Sequence, residues 1–397
     1  MVFIKKYTLL WYNTMWGDGV MKIEPFKLER FFAKYEFSAP YLLSSSDCES
    51  FTVDELLEFE PGAHEGFRKL WLGYTESSGN PGLKREISGL YENIYPNEVL
   101  VHAGAEEAIF IFMNTVLRPG DHIIVHYPCY QSLTGIARSI GCEVTLWEAK
   151  ESENWELHLG FLEESIRNNT KAVVINCPHN PTGYTMDAGK FHGIVEIAAK
   201  HGITVFSDEV YRYLEYDEKD RLPAACDIYD NAVSLGVMSK AFGLAGLRIG
   251  WVATRSRKIL DEMAAFKDYT SICNSAPGEY LSIIALRNRD RILKRNLDII
   301  RSNLMTLDSF FEKYRFMFNR VRPKAGSIAF PSLKPDIDIE KFCTDLVESK
   351  GVLLLPASCY SFSGRNFRLG YGRKNMPESL SRFEEYIRET YMKRRIR

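Results

Sequence analysis

The stretch MSKAFGLAGLRIGW, residues 238–251, sets a lone lysine, Lys240, between two apolar runs, AVSLGVMS before it and LRIGWVAT after it. Each run has the β-branched, nearly unbroken apolar character of a strand buried on both faces. Between them Gly243 and Gly246 let the chain turn, and Arg248 follows the lysine by eight residues. A strand that ends in an amine and resumes after an arginine raises the question of what the two cations serve. The neighbouring sequence has to answer it.

The middle of the chain alternates helical and strand-like segments. AEEAIFIFMNTVL reads as a helix and DHIIVHYP as a strand; YQSLTGIARSI is helical and CEVTLWEA a strand. FLEESIRNN then pairs with KAVVINC, and AGKFHGIVEIAAKH with GITVFSDE, before RKILDEMAAFKDY closes the series as a helix. Short apolar strands separated by helices predict an α/β fold with a mostly parallel sheet. After about residue 285 the pattern changes. A long amphipathic helix, RILKRNLDIIRSNLMTLDSFFEKY, leads into short strands and the helices DIEKFCTDLVESK and ESLSRFEEYIRET. The expected organisation is a large domain over 61–285 and a small α+β domain over 286–397, with an N-terminal segment, 1–60, packing against the latter.

The net charge of −2 and the absence of a basic face exclude a nucleic-acid binder. Lys393, Arg394, Arg395 and Arg397 read as a solvated terminus. The eight cysteines are scattered singly with no C-x-x-C pair, which suggests neither a zinc site nor a disulfide framework. Thiols used this way indicate a reducing, cytoplasmic setting. No apolar stretch approaches the ~18 residues of a membrane span. The first twenty residues are basic and then apolar, but Tyr, Asn and Asp break the apolar part and no small-residue cleavage site follows. They are read as an extension or a docking arm, with the folded chain beginning near Met21.

In open α/β sheets, ligands gather at the carboxyl ends of the strands. There the sequence places Asn180 in PHNPTG, Asp208 and Tyr211 in SDEVY, Ser239 beside Lys240, and Tyr130 at the end of YPCY. Ala105 and Glu106 open a helix after LVHAG, where free backbone N–H groups can hold an anion.

In combination, SKAFGLAGLRIGW, HNPTG and SDEVY resemble the class I/II aminotransferases of the pyridoxal-5′-phosphate-dependent fold-type I, aspartate aminotransferase-like superfamily, from about Tyr74 to Arg368. A G-x-G-x-x-G signature and a P-loop are both absent. The resemblance implies a mostly parallel seven-stranded sheet flanked by helices, plus a small domain built from both chain ends. It makes pyridoxal 5′-phosphate the cofactor and Lys240 the catalytic amine that condenses with its aldehyde. Asp208 would pair with the pyridine nitrogen, Tyr211 and Asn180 with the ring oxygen, and Tyr130 would lie over the ring. Ala105, Glu106, Ser239 and Arg248 would hold the phosphate, joined by Tyr74 from the other subunit of a homodimer. Arg368 would clamp the substrate α-carboxylate. No metal is implied.

The chain also departs from the pattern. Val237 stands where many relatives carry a phosphate-binding Ser or Thr, so one phosphate contact is expected to be missing or to be supplied elsewhere, by Ser275 or Asn274. LLSSSDCES does not resemble the usual glycine-containing substrate loop. Glu106 puts an acid beside the phosphate, and its side chain is expected to cap the helix and point away. The implied activity is amino transfer between an amino acid and a 2-oxo acid. The alternative keeps the cofactor but runs elimination, replacement or the cyclisation of a hydroxylated arginine. A non-catalytic sensor is disfavoured, because no room for a DNA-binding region precedes the core.

Overall fold

Seven strands build the central sheet: β1 (Val99–His102), β2 (His122–Tyr127), β3 (Glu143–Glu148), β4 (Thr170–Asn176), β5 (Thr204–Asp208), β6 (Ala232–Val237) and β7 (Gly250–Ala253). The structure is a computed structural model and describes residues 23–392. The N-terminal extension and the basic tail lie outside the described residues. The spatial order is β1-β7-β6-β5-β4-β2-β3. Only β7 is reversed, running antiparallel to both β1 and β6. This is the α/β architecture that the alternation implies. Central strands such as β5 and β6 are buried along their whole length, while β3 at the edge is half exposed. Near-continuous apolar runs suit strands covered by helices on both faces.

One strand begins later than its apolar run suggests. LRIGWVAT is extended only from Gly250. Leu247 closes a short helical turn, and Arg248 takes a left-handed conformation at φ 53°. The register then lines up the ends of neighbouring strands. Asp208 of β5 sits opposite Asn176 of β4 and Leu235 of β6, so the segments after these strands emerge side by side.

The C-terminal part carries a three-stranded sheet, with Phe367–Gly370 between Leu355–Pro356 and Ile328–Ala329, and a two-stranded one. Residues of the 43–49 segment bond to it. Gly370 N–H donates to Leu43 O at 2.8 Å and Glu49 N–H to Gly372 O at 2.9 Å. The helices Ala276–Arg287 and Arg289–Lys313 meet at Asn288, so the expected division at 285/286 falls inside the last turn of the first. Asn296 on the longer helix donates to Ala241 O at 2.8 Å, tying that helix to the loop after Lys240. A helix at Lys27–Tyr35, not singled out from the sequence, lies against both parts. Its Lys27 N–H donates to Gln131 Oε1 and its Lys27 Nζ to Ser361 Oγ, each at 2.9 Å. Among the described residues no helix is long and apolar enough to cross a membrane.

Candidate active site

The strand ends converge on one cavity of about 420 Å³, a volume suited to a small molecule. Ala105, Glu106, Tyr130, Asn180, Asp208, Tyr211, Ser239, Lys240, Arg248 and Arg368 all line it. Of the candidate residues Tyr74 alone is not brought there: its side chain is 84% exposed on the surface of the chain.

Lys240 follows β6 directly. Its amine donates to Ser46 Oγ at 2.8 Å and lies 5.8 Å from the centre of the Tyr211 ring. Burial lowers its pKa to about 8, against the pull of Asp47. Asp208 ends β5 with its carboxylate 5% exposed, accepting Val210 N–H at 3.2 Å. Burial raises that carboxyl to about 7. Such a group gains from a cationic partner at the ring-nitrogen position. Tyr211, 1% exposed, has a hydroxyl with no partner at hydrogen-bond distance.

The first turn of the helix Ala105–Val116 has no side-chain cap, so its N–H groups remain available. Gly104, at φ +92°, takes a backbone conformation that L side chains rarely adopt, and a Cβ there would stand 2.6 Å from Arg248 Nη2. The Arg248 guanidinium therefore lies over the helix start. Gly250 is equally confined, since its Cβ would meet Ala105 N at 2.7 Å. Uncapped N–H groups, an overlying guanidinium and the Ser239 hydroxyl form a cradle for an anion. The unpartnered Tyr211 hydroxyl, the buried Asp208 and the low-pKa amine complete a set that fits pyridoxal 5′-phosphate.

Arg368 is 2% exposed. Its Nε donates to Ser44 O at 3.0 Å and its Nη1 to the Tyr360 hydroxyl at 2.7 Å. Tyr360 in turn donates to Asn180 Oδ1 at 2.9 Å. This chain locks the fork in place and orients Asn180. Asn180 Nδ2 makes no hydrogen bond among the described residues and is left as a donor.

Three expectations are corrected. Glu106 points into the cavity, where its Oε2 is buried without a partner and burial raises its pKa to about 7. It is Glu107 that turns back, accepting Ala103 N–H at 2.6 Å. Ser275 and Asn274 do not replace the hydroxyl missing at Val237. Ser275 caps the helix Ala276–Arg287, Asn274 bonds Glu279, and neither lines the cavity, whereas Val237 does.

Several lining residues were missed. Leu28, Glu29, Phe32 and Glu36 come from the first described helix and its cap, Ser45 to Asp47 from LLSSSDCES, and Arg373 from beyond the last strand. The four-residue spacing of Leu28, Phe32 and Glu36 is the signal that could have found that helix face. Tyr130 donates to Glu29 Oε1 at 2.9 Å, which joins the helix to the large domain.

The family model for aminotransferase class I and II matches residues 41–382. A PLP-dependent aminotransferase structure from Streptococcus suis superposes with a TM-score of 0.88 at 32% identity, covering 93% of this chain and 99% of that one. Capreomycidine synthase of Streptomyces vinaceus is 25% identical over 376 residues, covering 94% of this chain and 96% of its own. Aspartate aminotransferase of Thermotoga maritima is 29% identical over 347 residues, covering 83% of this chain and 88% of its own.

Proposed function

This chain belongs to the class I and II aminotransferase family of pyridoxal-5′-phosphate-dependent enzymes, and from that premise we propose that it transfers an amino group between an amino acid and a 2-oxo acid. The observation that carries the reading is a half-buried Lys240 amine, held near pKa 8, sharing one cavity with Asp208 and Arg368. We place the reaction in the cytoplasm, in a homodimer of two-domain subunits divided near residues 60 and 285.

The cofactor supplies an aldehyde that takes up amines and a ring that accepts the electrons of a carbanion. The residues do the rest. Lys240, its pKa lowered to about 8, would be the amine that receives the aldehyde, and its free amine would move the proton off and back onto the substrate. Asp208 would pair with a cation at the ring nitrogen, which would draw its own pKa down from about 7. Tyr211 Oη and Asn180 Nδ2 would donate to the ring oxygen, and Tyr130 would offer the ring an aromatic neighbour. The N–H groups of Ala105 and Glu106, with Ser239 and Arg248, would hold the phosphate. Arg368, immobilised by Ser44 and Tyr360, presents its fork to the α-carboxylate.

The dimer is supported by one exposed strip. Trp71, Leu72 and Tyr74 are 78%, 76% and 84% exposed, and Tyr269 is 91% exposed. Thr75 Oγ1 donates to Asn274 O at 3.1 Å, which joins the two segments carrying them.

The similarity to capreomycidine synthase over nearly the whole of both chains favours a second reading, a lyase or cyclase using the same residues. Adding single amino acids to the purified holoenzyme, without a 2-oxo acid, separates the two. A lasting shift of the visible band to the ultraviolet, with the 2-oxo acid released, is the expected result. Return of the band with ammonia or a cyclised product released would replace transfer by the second reading. The Lys240→Ala variant is expected to lose both the lysine-linked absorbance and turnover.

A further inference from the structure

The charges that line the cavity do not balance once each cation has its partner. Arg373 is taken by Asp47, through Nε–Oδ1 at 3.1 Å and Nη2–Oδ2 at 2.8 Å. Arg248 lies at the anion cradle, Lys240 is the reacting amine, and Arg368 faces the α-carboxylate. Those are all the lysines and arginines that line the cavity among the described residues. On the acidic side Asp208 is committed to the ring nitrogen and Asp47 to Arg373. Glu106 sits in the first turn of the helix Ala105–Val116, beside Arg248 at the anion cradle, and Glu29 and Glu36 remain. Both line the cavity from the helix Lys27–Tyr35 and its cap, with Phe32 between them. Among the described residues neither is within ion-pair distance of a lysine or arginine, and the Glu36 carboxylate makes no hydrogen bond; only its backbone N–H does, to Phe32 O at 2.8 Å.

A substrate with a second carboxylate would meet these two acids with no free cation to receive it, and like charges placed together are strongly unfavourable. A substrate with a positive side chain meets the reverse situation. Burial, and then Glu29 beside it, push the Glu36 carboxyl above its ordinary range. A cation delivered between the two relieves that cost. That the cavity receives a ligand at all rests on separate ground, the 1%-exposed Tyr211 with its unpartnered hydroxyl.

We propose that the site selects an amino acid whose side chain ends in a cation, an amine or a guanidinium, held by Glu29 and Glu36 while Arg368 holds its α-carboxylate. This rests on the reading of the Lys240 cavity as an amino-acid site. It applies equally to transfer and to cyclisation, because both begin by binding the same substrate.

The test titrates the holoenzyme with L-arginine, L-ornithine, L-citrulline and L-glutamate and records the half-saturating concentration for the change in cofactor absorbance. Citrulline has the shape of arginine without its charge. Arginine or ornithine is expected to half-saturate at a concentration roughly tenfold or more below that of citrulline, with glutamate weakest. In the double variant Glu29→Gln, Glu36→Gln the arginine–citrulline ratio is expected to fall towards one. The citrulline response in that variant shows that it is folded and loaded. Equal responses to arginine and citrulline, or a preference for glutamate, would overturn the proposal and leave the proposed function standing. A ratio that survives the double substitution would also overturn it. A holoenzyme whose spectrum responds to no amino acid would remove the amino-acid reading, and this inference with it.

Discussion

Lys240 shows how one half-buried group carries both a cost and a use. Its pKa of about 8 means that the cofactor-free protein must hold a half-buried ammonium at lower pH. Between about 8 and the ordinary value of 10.5 the unfolded chain binds more protons than the folded one, so stability contributed by this group rises with pH across that window. The difference in denaturation free energy between wild type and Lys240→Met is expected to favour the variant below pH 8 and to shrink as pH rises towards 10. The rate of reconstitution with cofactor is expected to climb with pH and level off just above 8. A plateau only beyond 10 would mean an ordinary, solvated lysine. At Arg368 the charge alone is insufficient, since its position depends on Ser44 and Tyr360. Arg368→Lys is expected to raise KM for amino acids by about tenfold, ~1.4 kcal/mol, with little change in cofactor affinity. Steady-state kinetics and cofactor titration check this, and an unchanged KM would place the carboxylate elsewhere.

At the scale of elements, two close approaches position the site. Gly250 opens β7 against the start of the helix Ala105–Val116, where a Cβ would stand 2.7 Å from Ala105 N. Gly250→Ala is expected to cost about 1–3 kcal/mol of stability. It should also weaken cofactor binding beyond what that loss explains, because the displaced atoms are those of the anion cradle. Gly370 lies under the Ser44–Asp47 segment, with a Cβ that would fall 1.8 Å from Ser45 O. Gly370→Ala should instead raise KM, since Ser46 and Asp47 move with that segment. Melting curves with and without cofactor, set beside KM values, separate the two effects. The strands of the large sheet are legible because burial on both faces demands unbroken apolar runs. The helix Lys27–Tyr35 is not, because its sequence KLERFFAKY mixes charges into a short span and much of it is exposed.

For the molecule as a whole, the exposed strip of Trp71, Leu72, Tyr74 and Tyr269 demands a partner more than any other surface named here. Sedimentation velocity is expected to give twice the 45.6 kDa chain mass. Trp71→Asp should dissociate the dimer and loosen the cofactor together, because Tyr74, two residues beyond the strip's centre, is proposed to reach the neighbouring phosphate. A monomeric wild-type protein with full cofactor affinity would contradict this.

The sequence alone determined the α/β class, the strand-end residues and the type of cofactor. The first two rest on local information, apolar runs and turn chemistry; the cofactor rests on the family resemblance carried by the motifs around Lys240, Asp208 and Asn180. It did not determine which acids face the substrate. Glu29 and Glu36 lie about two hundred residues from Lys240 along the chain, on a helix whose own sequence does not say what it covers. Nor could spacing show that Glu106 points inward while Glu107 turns back, since neighbouring glutamates are distinguished only by the partners around them. Tertiary structure decided these points by bringing the N-terminal helix, the Ser45–Asp47 segment and Arg373 from the two ends of the chain to a cavity built mainly from its middle. A charge acquires its partners, or goes without them, only when the chain has closed around it.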